Sequence, residues 1–343
     1  MPKRIIFPEK GRVTLQDFEL PDPGPGEIKV RTLYSLMSIG TESIILNQRY
    51  DPDTHFAKMF SFPQVQTGVL AVAEVEQSGE GVSEFSRGDR IYMRKAHRSH
   101  EVLAARDCSL IPAGIDLKSA CWAGLAKTAH RAAQAGRFEP GQHILIVGAG
   151  PVGQMAVRWA ANAKVESLAV VDLSTARLEH AKSGGATHLF KGDIAGCLDK
   201  IRKINDGAGP SVVVDVTGNS AVFKHALAVA ARFGKVILLG DTGYPSKQCL
   251  SSDVMTKGLT IQATHESHDR GGWTQRRVDQ LFFDLVKRGQ FDLSGLITHE
   301  FLPDDCEKAY ALANQQREPV MGILFNWEDS NCARFSGEFD NNC

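Results

Sequence analysis

From residue 143 onward, short unbroken apolar runs alternate with stretches in which apolar positions recur every three or four residues. The first pattern is that of strands buried on both faces, the second that of helices with one apolar face. The runs fall at 143–148, 168–172, 187–190, 211–217, 235–240 and 259–264. Strand and helix in alternation predict an α/β domain with a doubly wound parallel sheet. Val278, Leu281, Phe282, Leu285 and Val286 share one face of a helix predicted over 274–288. A further helix at 304–315 and a closing strand at 321–327 follow. The first 120 residues read differently. Short β-type runs at 27–33, 69–76 and 89–92 are separated by Pro/Gly/Asp turns at 21–26 and 86–89, which predicts an irregular, barrel-like all-β domain. Residues 117–136 are helical in pattern, and 328–343 form a polar segment without periodicity.

The first apolar run leads into Gly148-Ala149-Gly150-Pro151-Val152-Gly153, and the second ends in Asp172. Glycines at this spacing are weak evidence alone. Between a strand and a helix, with an acid closing the next strand, they predict a Rossmann-type dinucleotide site. Gly148 permits the sharp turn, Gly150 lets a pyrophosphate approach the backbone, and Gly153 lets the helix sit close to the sheet. Pro151 and Val152 open that helix, whose N-terminus offers unpaired N–H groups and a positive dipole end. Asp172 suits the free ribose hydroxyls and opposes a 2′-phosphate, so the expected cofactor is NAD. Arg177 lies within reach of the same ribose.

Composition changes this picture little. The chain has 343 residues, 43% hydrophobic and 23% charged, with a net charge of −1. That gives no electrostatic case for nucleic acid or an anionic membrane surface. No apolar stretch is long enough for a signal peptide or a membrane span. The seven cysteines are scattered without a CxxC pair, which reads as reduced thiols in a cytoplasmic protein.

Four further segments resemble the medium-chain dehydrogenase/reductase superfamily: Ser38-Ile39-Gly40-Thr41-Glu42, Gly88-Asp89-Arg90-Ile91, Lys127-Thr128-Ala129 and Leu296-Ile297-Thr298-His299. The resemblance implies a GroES-like β-barrel domain at 1–120, a Rossmann domain at 121–268, a return to the barrel domain at 269–327 and a polar tail at 328–343. It also implies a homodimer, expected through sheet edges near 234–240, and a small-molecule substrate. Zinc members of the superfamily bind the metal through Cys, His or acidic ligands. The positions that resemble theirs here hold Ser38 or Ile39, Gly68-Val69-Leu70, and Gly124. None supplies a thiolate, imidazole or carboxylate, so the expected protein is zinc-free and carries no metal. Ser35-Leu36-Met37-Ser38-Ile39-Gly40-Thr41-Glu42 resembles a signature of the bacteriochlorophyllide a dehydrogenase branch, which implies oxidation of a secondary alcohol to a ketone.

Without a metal, hydrogen-bond donors or a side-chain cation must stabilise the charge that develops on oxygen during hydride transfer. Thr41 and Ser38 from the first of these segments and Lys127 from the third are the candidates, with plain structural roles as their alternatives. His265, after the last strand of the nucleotide fold, is placed to act as acid or base or to bind an anionic substrate group. His265, His268 and the intervening acid also invite a metal reading, for which the motif fixes no third donor. Thr217 and Thr128 are expected to line the cofactor. His97 and His100 read as part of a solvated edge or loop. Two other functions compete: a quinone or enoyl reductase, and a catalytically silent NAD-binding sensor or scaffold.

Overall fold

Residues 1–315 and 319–328 are described in the computed structural model of the chain, and they group into two units. The predicted tail lies outside the described residues apart from Glu328.

The first unit, Met1–Gln48 with Phe60–Gly124 and residues 297 onward, starts with β1 (Lys3–Glu9), β2 (Arg12–Asp17) and the long β3 (Glu27–Leu36). Along β3, Ile28 and Val30 are buried while Lys29 and Arg31 are partly exposed, the alternation that a pleated strand imposes. Helix α1 (Ile39–Leu46) follows directly. The sequence suggests only a bend at Gly40-Thr41-Glu42, but the Ser38 N–H donates to Glu42 Oε1 at 2.6 Å. That satisfies a donor at the helix start much as a capping box does. Burial of Ile39, Ile45 and Leu46 then holds the turns of the helix in place. The short α2 (His55–Met59) groups with the second unit. Next come β4 (Val65–Gln66), β5 (Ala71–Ser78), β6 (Arg90–Met93), β7 (His100–Ala104), β8 (Cys108–Leu110) and the single-turn α3 (Leu117–Ala120). The helical stretch read from the sequence at 117–136 is broken at Cys121 and Trp122, both fully buried.

The second unit comprises Arg49–Met59 and Leu125–Leu296. Most of α4 (Ala123–Gly136) belongs to it, followed by β9 (His143–Val147), α5 (Pro151–Asn162), β10 (Ser167–Asp172), α6 (Thr175–Ser183) and β11 (His188–Lys191). Then come α7 (Ile194–Ile201), β12 (Val212–Asp215), α8 (Ser220–Val229), β13 (Lys235–Leu238), α9 (Asp253–Lys257), β14 (Thr260–Ala263) and α10 (Gln275–Lys287). The six strands run parallel in the order β11-β10-β9-β12-β13-β14. This is the doubly wound sheet that the apolar runs predict. Leu145, Val147, Val171, Val213 and Val236 of the sheet pack with Ile201, Phe223 and Leu227 of α7 and α8. The strand order reverses between β9 and β12, the place where such sheets bind ligands beyond their carboxyl ends. One detail is corrected. Strand β13 is bonded to β12 on one side and β14 on the other, so the 234–240 region has no open edge for a partner. Among the described strands the open edge there is β14.

The chain then completes the first unit with β15 (Ile297–Phe301), α11 (Cys306–Gln315) and β16 (Gly322–Asn326). Its larger sheet runs β15-β16-β3-β5-β6-β8, with β7 also paired to β3, and a smaller sheet runs β2-β1-β4. No helix among the described residues is long and apolar enough to cross a membrane.

Candidate functional site

Strand β9 ends in Gly148, whose φ of +96° is a conformation that glycine adopts at least cost. Gly150 caps α5 and Pro151 occupies its first turn, a position where a missing N–H costs nothing. Val152 and Gly153 follow, with N–H groups that no helix carbonyl reaches. A Cβ on Gly153 would collide with the Gly148 carbonyl oxygen, so helix and turn can approach this closely only with glycine there. At Gly150 a Cβ would meet only the Arg177 guanidinium, 3.7 Å away, in ordinary contact.

Asp172 closes β10 beside this turn. Its Oδ2 accepts the Ala149 N–H at 2.7 Å and its Oδ1 accepts the Ser174 N–H at 2.8 Å. The acid expected to read a ribose therefore also braces the glycine turn. Gln154, which the sequence reading passed over, is fully buried and donates to the Ala149 and Arg177 carbonyls, both at 2.9 Å. It ties the turn to α6. Thr217 donates to Asp215 Oδ1 at 2.7 Å, and its methyl lies 3.0 Å from where a Cβ on Gly148 would stand. Burial holds the Asp215 carboxyl above its ordinary value despite the hydrogen bonds from Thr217. Thr128 is half-buried on α4. The structure thus gathers Gly148, Gly150, Gly153, Asp172, Arg177 and Thr217 around one strand-to-helix turn.

Lys127 is 4% exposed on α4, and it does not stand alone. Its Nζ lies 3.4 Å from Asp269 and 3.7 Å from Glu266. Arg131, one turn further along α4, pairs with Asp269 and donates to the Trp273 carbonyl at 2.9 Å. Two cations on α4 therefore anchor the segment that follows β14, the segment that carries His265. Burial first, and then Arg131, push His130 down to about 4. His265 itself is exposed, with Nδ1 2.7 Å from the Ser267 hydroxyl. His55 Nε2 stands 3.0 Å from Asp241 Oδ2 in the same unit. One donor atom from each of His55, Asp241 and His265 lies within 4.8 Å of the others. Spacing along the chain does not single out His55 or Asp241 as partners of His265.

In the first unit, Ser38 precedes α1 and Thr41 is exposed in its first turn. Below them Glu42 is buried in a polar network. Thr67 donates to its Oε2 at 3.1 Å, Tyr310 donates to the same oxygen, and His97 Nε2 lies 3.2 Å away. His97 Nδ1 in turn meets Ser35 Oγ at 2.7 Å, which also receives the Trp327 indole N–H at 2.9 Å. His97 is 0% exposed, which corrects the expectation of a solvated position: its polar sequence neighbours do not reveal that Phe325 covers its ring. Burial alone would raise the Glu42 carboxyl. His97 and the hydrogen bonds from His97, Tyr310 and Ser38 outweigh it and hold the carboxyl below its ordinary value. Burial and the neighbouring Glu42 drive the Tyr310 phenol well upward.

The family of zinc-binding dehydrogenases matches residues 151–282. L-threonine 3-dehydrogenase of Bacillus velezensis is 33% identical over 172 residues, which are 50% of this chain and 48% of that protein. The chain thus matches about half the length of that relative. An alcohol dehydrogenase of Cupriavidus necator is 22% identical across 94% of this chain and 98% of its own. The structure of an alcohol dehydrogenase from Escherichia coli CFT073, solved with NADH, superposes with a TM-score of 0.80. It is 19% identical and covers 95% of this chain and 99% of its own. Over residues 151–282 the chain is thus similar to zinc-binding dehydrogenases, and its fold is that of the alcohol dehydrogenase structure.

The residues whose positions resemble the zinc ligands of such dehydrogenases do not suit a metal. A side chain at Gly124 would collide with the Tyr92 hydroxyl and the Leu70 side chain, which fill that space. Leu70 is fully buried, and Ser38 offers only a hydroxyl. Ions of zinc's class need imidazole, thiolate or carboxylate donors, and these positions supply none.

Proposed function

We propose that the chain is an NAD-linked oxidoreductase that interconverts a secondary alcohol and a ketone, independently of a zinc at the family's ligand positions. The observation that carries this reading is the glycine turn braced by Asp172 at the end of β10. The names of the threonine and alcohol dehydrogenases it resembles support a CH–OH substrate. The Ser-x-x-Ser-x-Gly-Thr-Glu stretch adds the bacteriochlorophyllide a dehydrogenase branch as a comparison for the ketone product. Scattered cysteines, none in a disulfide among the described residues, suit a reducing cytoplasmic setting.

When bound, NAD would supply the hydride acceptor. The N–H groups of Val152 and Gly153 at the start of α5 would hold its pyrophosphate, with Gly148, Gly150 and Pro151 shaping the turn. Asp172 would take the adenosine ribose hydroxyls, with Arg177 beside it, and Thr217 and Thr128 would line the rest. Ser38 and Thr41 of the first unit and, separately, Lys127 and His265 of the second are candidates to stabilise the reacting oxygen. The hydroxyls would donate hydrogen bonds and the lysine would offset developing negative charge. Glu266 and Asp269 share the Lys127 charge, so this lysine also positions the segment that carries His265.

The test is to assay NAD and NADP reduction against a panel of secondary alcohols, with direct titration of both cofactors. NAD is expected to bind at least about tenfold more tightly than NADP, and Asp172→Ser to narrow that gap. Thr41→Ala and Lys127→Ala are expected to lower turnover by about 10²–10⁴-fold with little change in NAD affinity. Turnover confined to NADPH and conjugated enones would favour the quinone or enoyl reductase. NAD binding with no turnover would favour the silent sensor.

A homodimer is part of the same reading, because closed twofold pairs are the usual oligomer and β14 offers its sheet an open edge. Light scattering across micromolar concentrations is expected to give twice the chain mass. A monomer mass throughout would refute the pairing.

A further inference from the structure

Three donor groups from widely separated parts of the second unit meet at one place. His55 comes from the start of α2, Asp241 from the turn after β13, and His265 from the turn after β14. The carboxyl ends of neighbouring parallel strands thus supply two of them. We propose that His55, Asp241 and His265 form a binding site for a divalent transition-metal ion, separate from the positions where zinc members of the family hold theirs. The inference goes beyond the dehydrogenase reading and does not rest on it.

The donor set decides the class of ion. Two imidazoles and one carboxylate suit Zn²⁺, Co²⁺ or Fe²⁺, whereas Mg²⁺ and Ca²⁺ take nearly all-oxygen sets. The geometry is close to what such an ion needs. Bonds of about 2.0–2.1 Å in a tetrahedron put neighbouring donors about 3.3 Å apart. His55 Nε2 and Asp241 Oδ2 already stand at 3.0 Å, and all three donors lie within 4.8 Å of one another. The remaining closure needs only side-chain rotation, since all three residues are exposed. Ser267 lies against His265 Nδ1, with its hydroxyl at 2.7 Å and its N–H at 3.3 Å, and metal binding through Nε2 would have Nδ1–H donate to that hydroxyl. Lys127 and Arg131 fix the segment bearing His265 through Asp269, so this ligand is carried on an anchored turn. Three protein ligands leave a coordination position open, the count found at catalytic rather than structural zinc sites.

Sequence spacing alone pairs His265 with His268, three residues on, and finds no third donor. In the structure the His268 ring accepts the His265 N–H through Nδ1 at 3.1 Å, so it supports the turn. The two further donors come instead from His55 and Asp241.

The test is a Co²⁺ titration of the tag-free, chelator-treated full chain, followed by visible d–d absorption, with no cofactor or alcohol present. Saturable binding at one ion per chain is expected, with Zn²⁺ displacing Co²⁺ and quenching the bands. His55→Ala, Asp241→Ala and His265→Ala are each expected to weaken binding by more than about tenfold, the loss that even a second-shell change can cause. His268→Ala is expected to bind nearly as the parent does. Thermal melts of the same variants should match the parent without metal, since the replaced side chains are exposed. No saturable binding, or binding that survives both His55→Ala and Asp241→Ala, overturns the proposal and leaves a hydrogen-bonded His55–Asp241 pair. Because turnover is never measured, failure here is distinct from failure of the dehydrogenase reading.

Discussion

Replacing Glu42 with glutamine is expected to destabilise the first unit by about 1–3 kcal/mol, the usual cost of leaving a buried hydrogen-bonding group without its partner. Glu42 is 2% exposed and its two oxygens serve Ser38, Thr67, Tyr310 and His97. An amide keeps one acceptor but turns an NH₂ toward partners that in the parent donate to a carboxylate oxygen, so the network must rearrange. Urea unfolding of parent and variant measures the loss; a change below about 1 kcal/mol would mean that the network contributes little. The pH dependence has a definite sign. The folded-state carboxyl lies below its ordinary value of 4.5. Glu42 therefore contributes stability that is fully present above that value and is lost as pH falls through the folded-state value. The parent should lose stability more steeply than Glu42→Gln on acidification below 4.5.

Gly150→Ala and Gly153→Ala are expected to separate nucleotide binding from folding. At Gly153 the added methyl collides with the Gly148 carbonyl oxygen, a backbone atom that cannot swing away. Helix α5 must then shift off β9, with an overpacking cost of about 1–3 kcal/mol, and the turn that would hold the pyrophosphate shifts with it. Both melting temperature and NAD affinity should fall. At Gly150 the only nearby atom is the end of the Arg177 side chain at 3.7 Å, so the fold should tolerate the methyl. A phosphate approaching the same backbone should not. Gly150→Ala should keep the parent melting temperature and lose at least about tenfold in NAD affinity, the factor that 1.4 kcal/mol represents. Calorimetric titration with NAD alongside thermal melts gives both readings. Parent-like NAD affinity in Gly153→Ala would refute the steric account.

The strand–helix alternation was legible in the chain because burial on both faces leaves unbroken apolar runs. The turn at 148–153 and Asp172 were legible because that part of the site is built within one βαβ segment. Helix α1 was not, because what stabilises its start is the Glu42 carboxylate accepting the Ser38 N–H, a choice of partner that Gly-Thr-Glu does not announce. The polar neighbours of His97 suggest a solvated position, whereas its burial comes from β16 and from Glu42, 55 residues away. Lys127 was visible as a candidate cation. Its acidic partners were not, since they follow a strand more than a hundred residues later.

The sequence by itself determined the sheet and its glycine turn. Each of these rests on residue type and spacing over a few tens of residues. Only the tertiary structure decided which polar groups meet. It joined Glu42 to Tyr310 across 268 residues and brought His55, Asp241 and His265 to the ends of two neighbouring strands. Hydrophobic period dictates which face of an element is buried, while the path of the chain between elements dictates which distant side chains share a pocket.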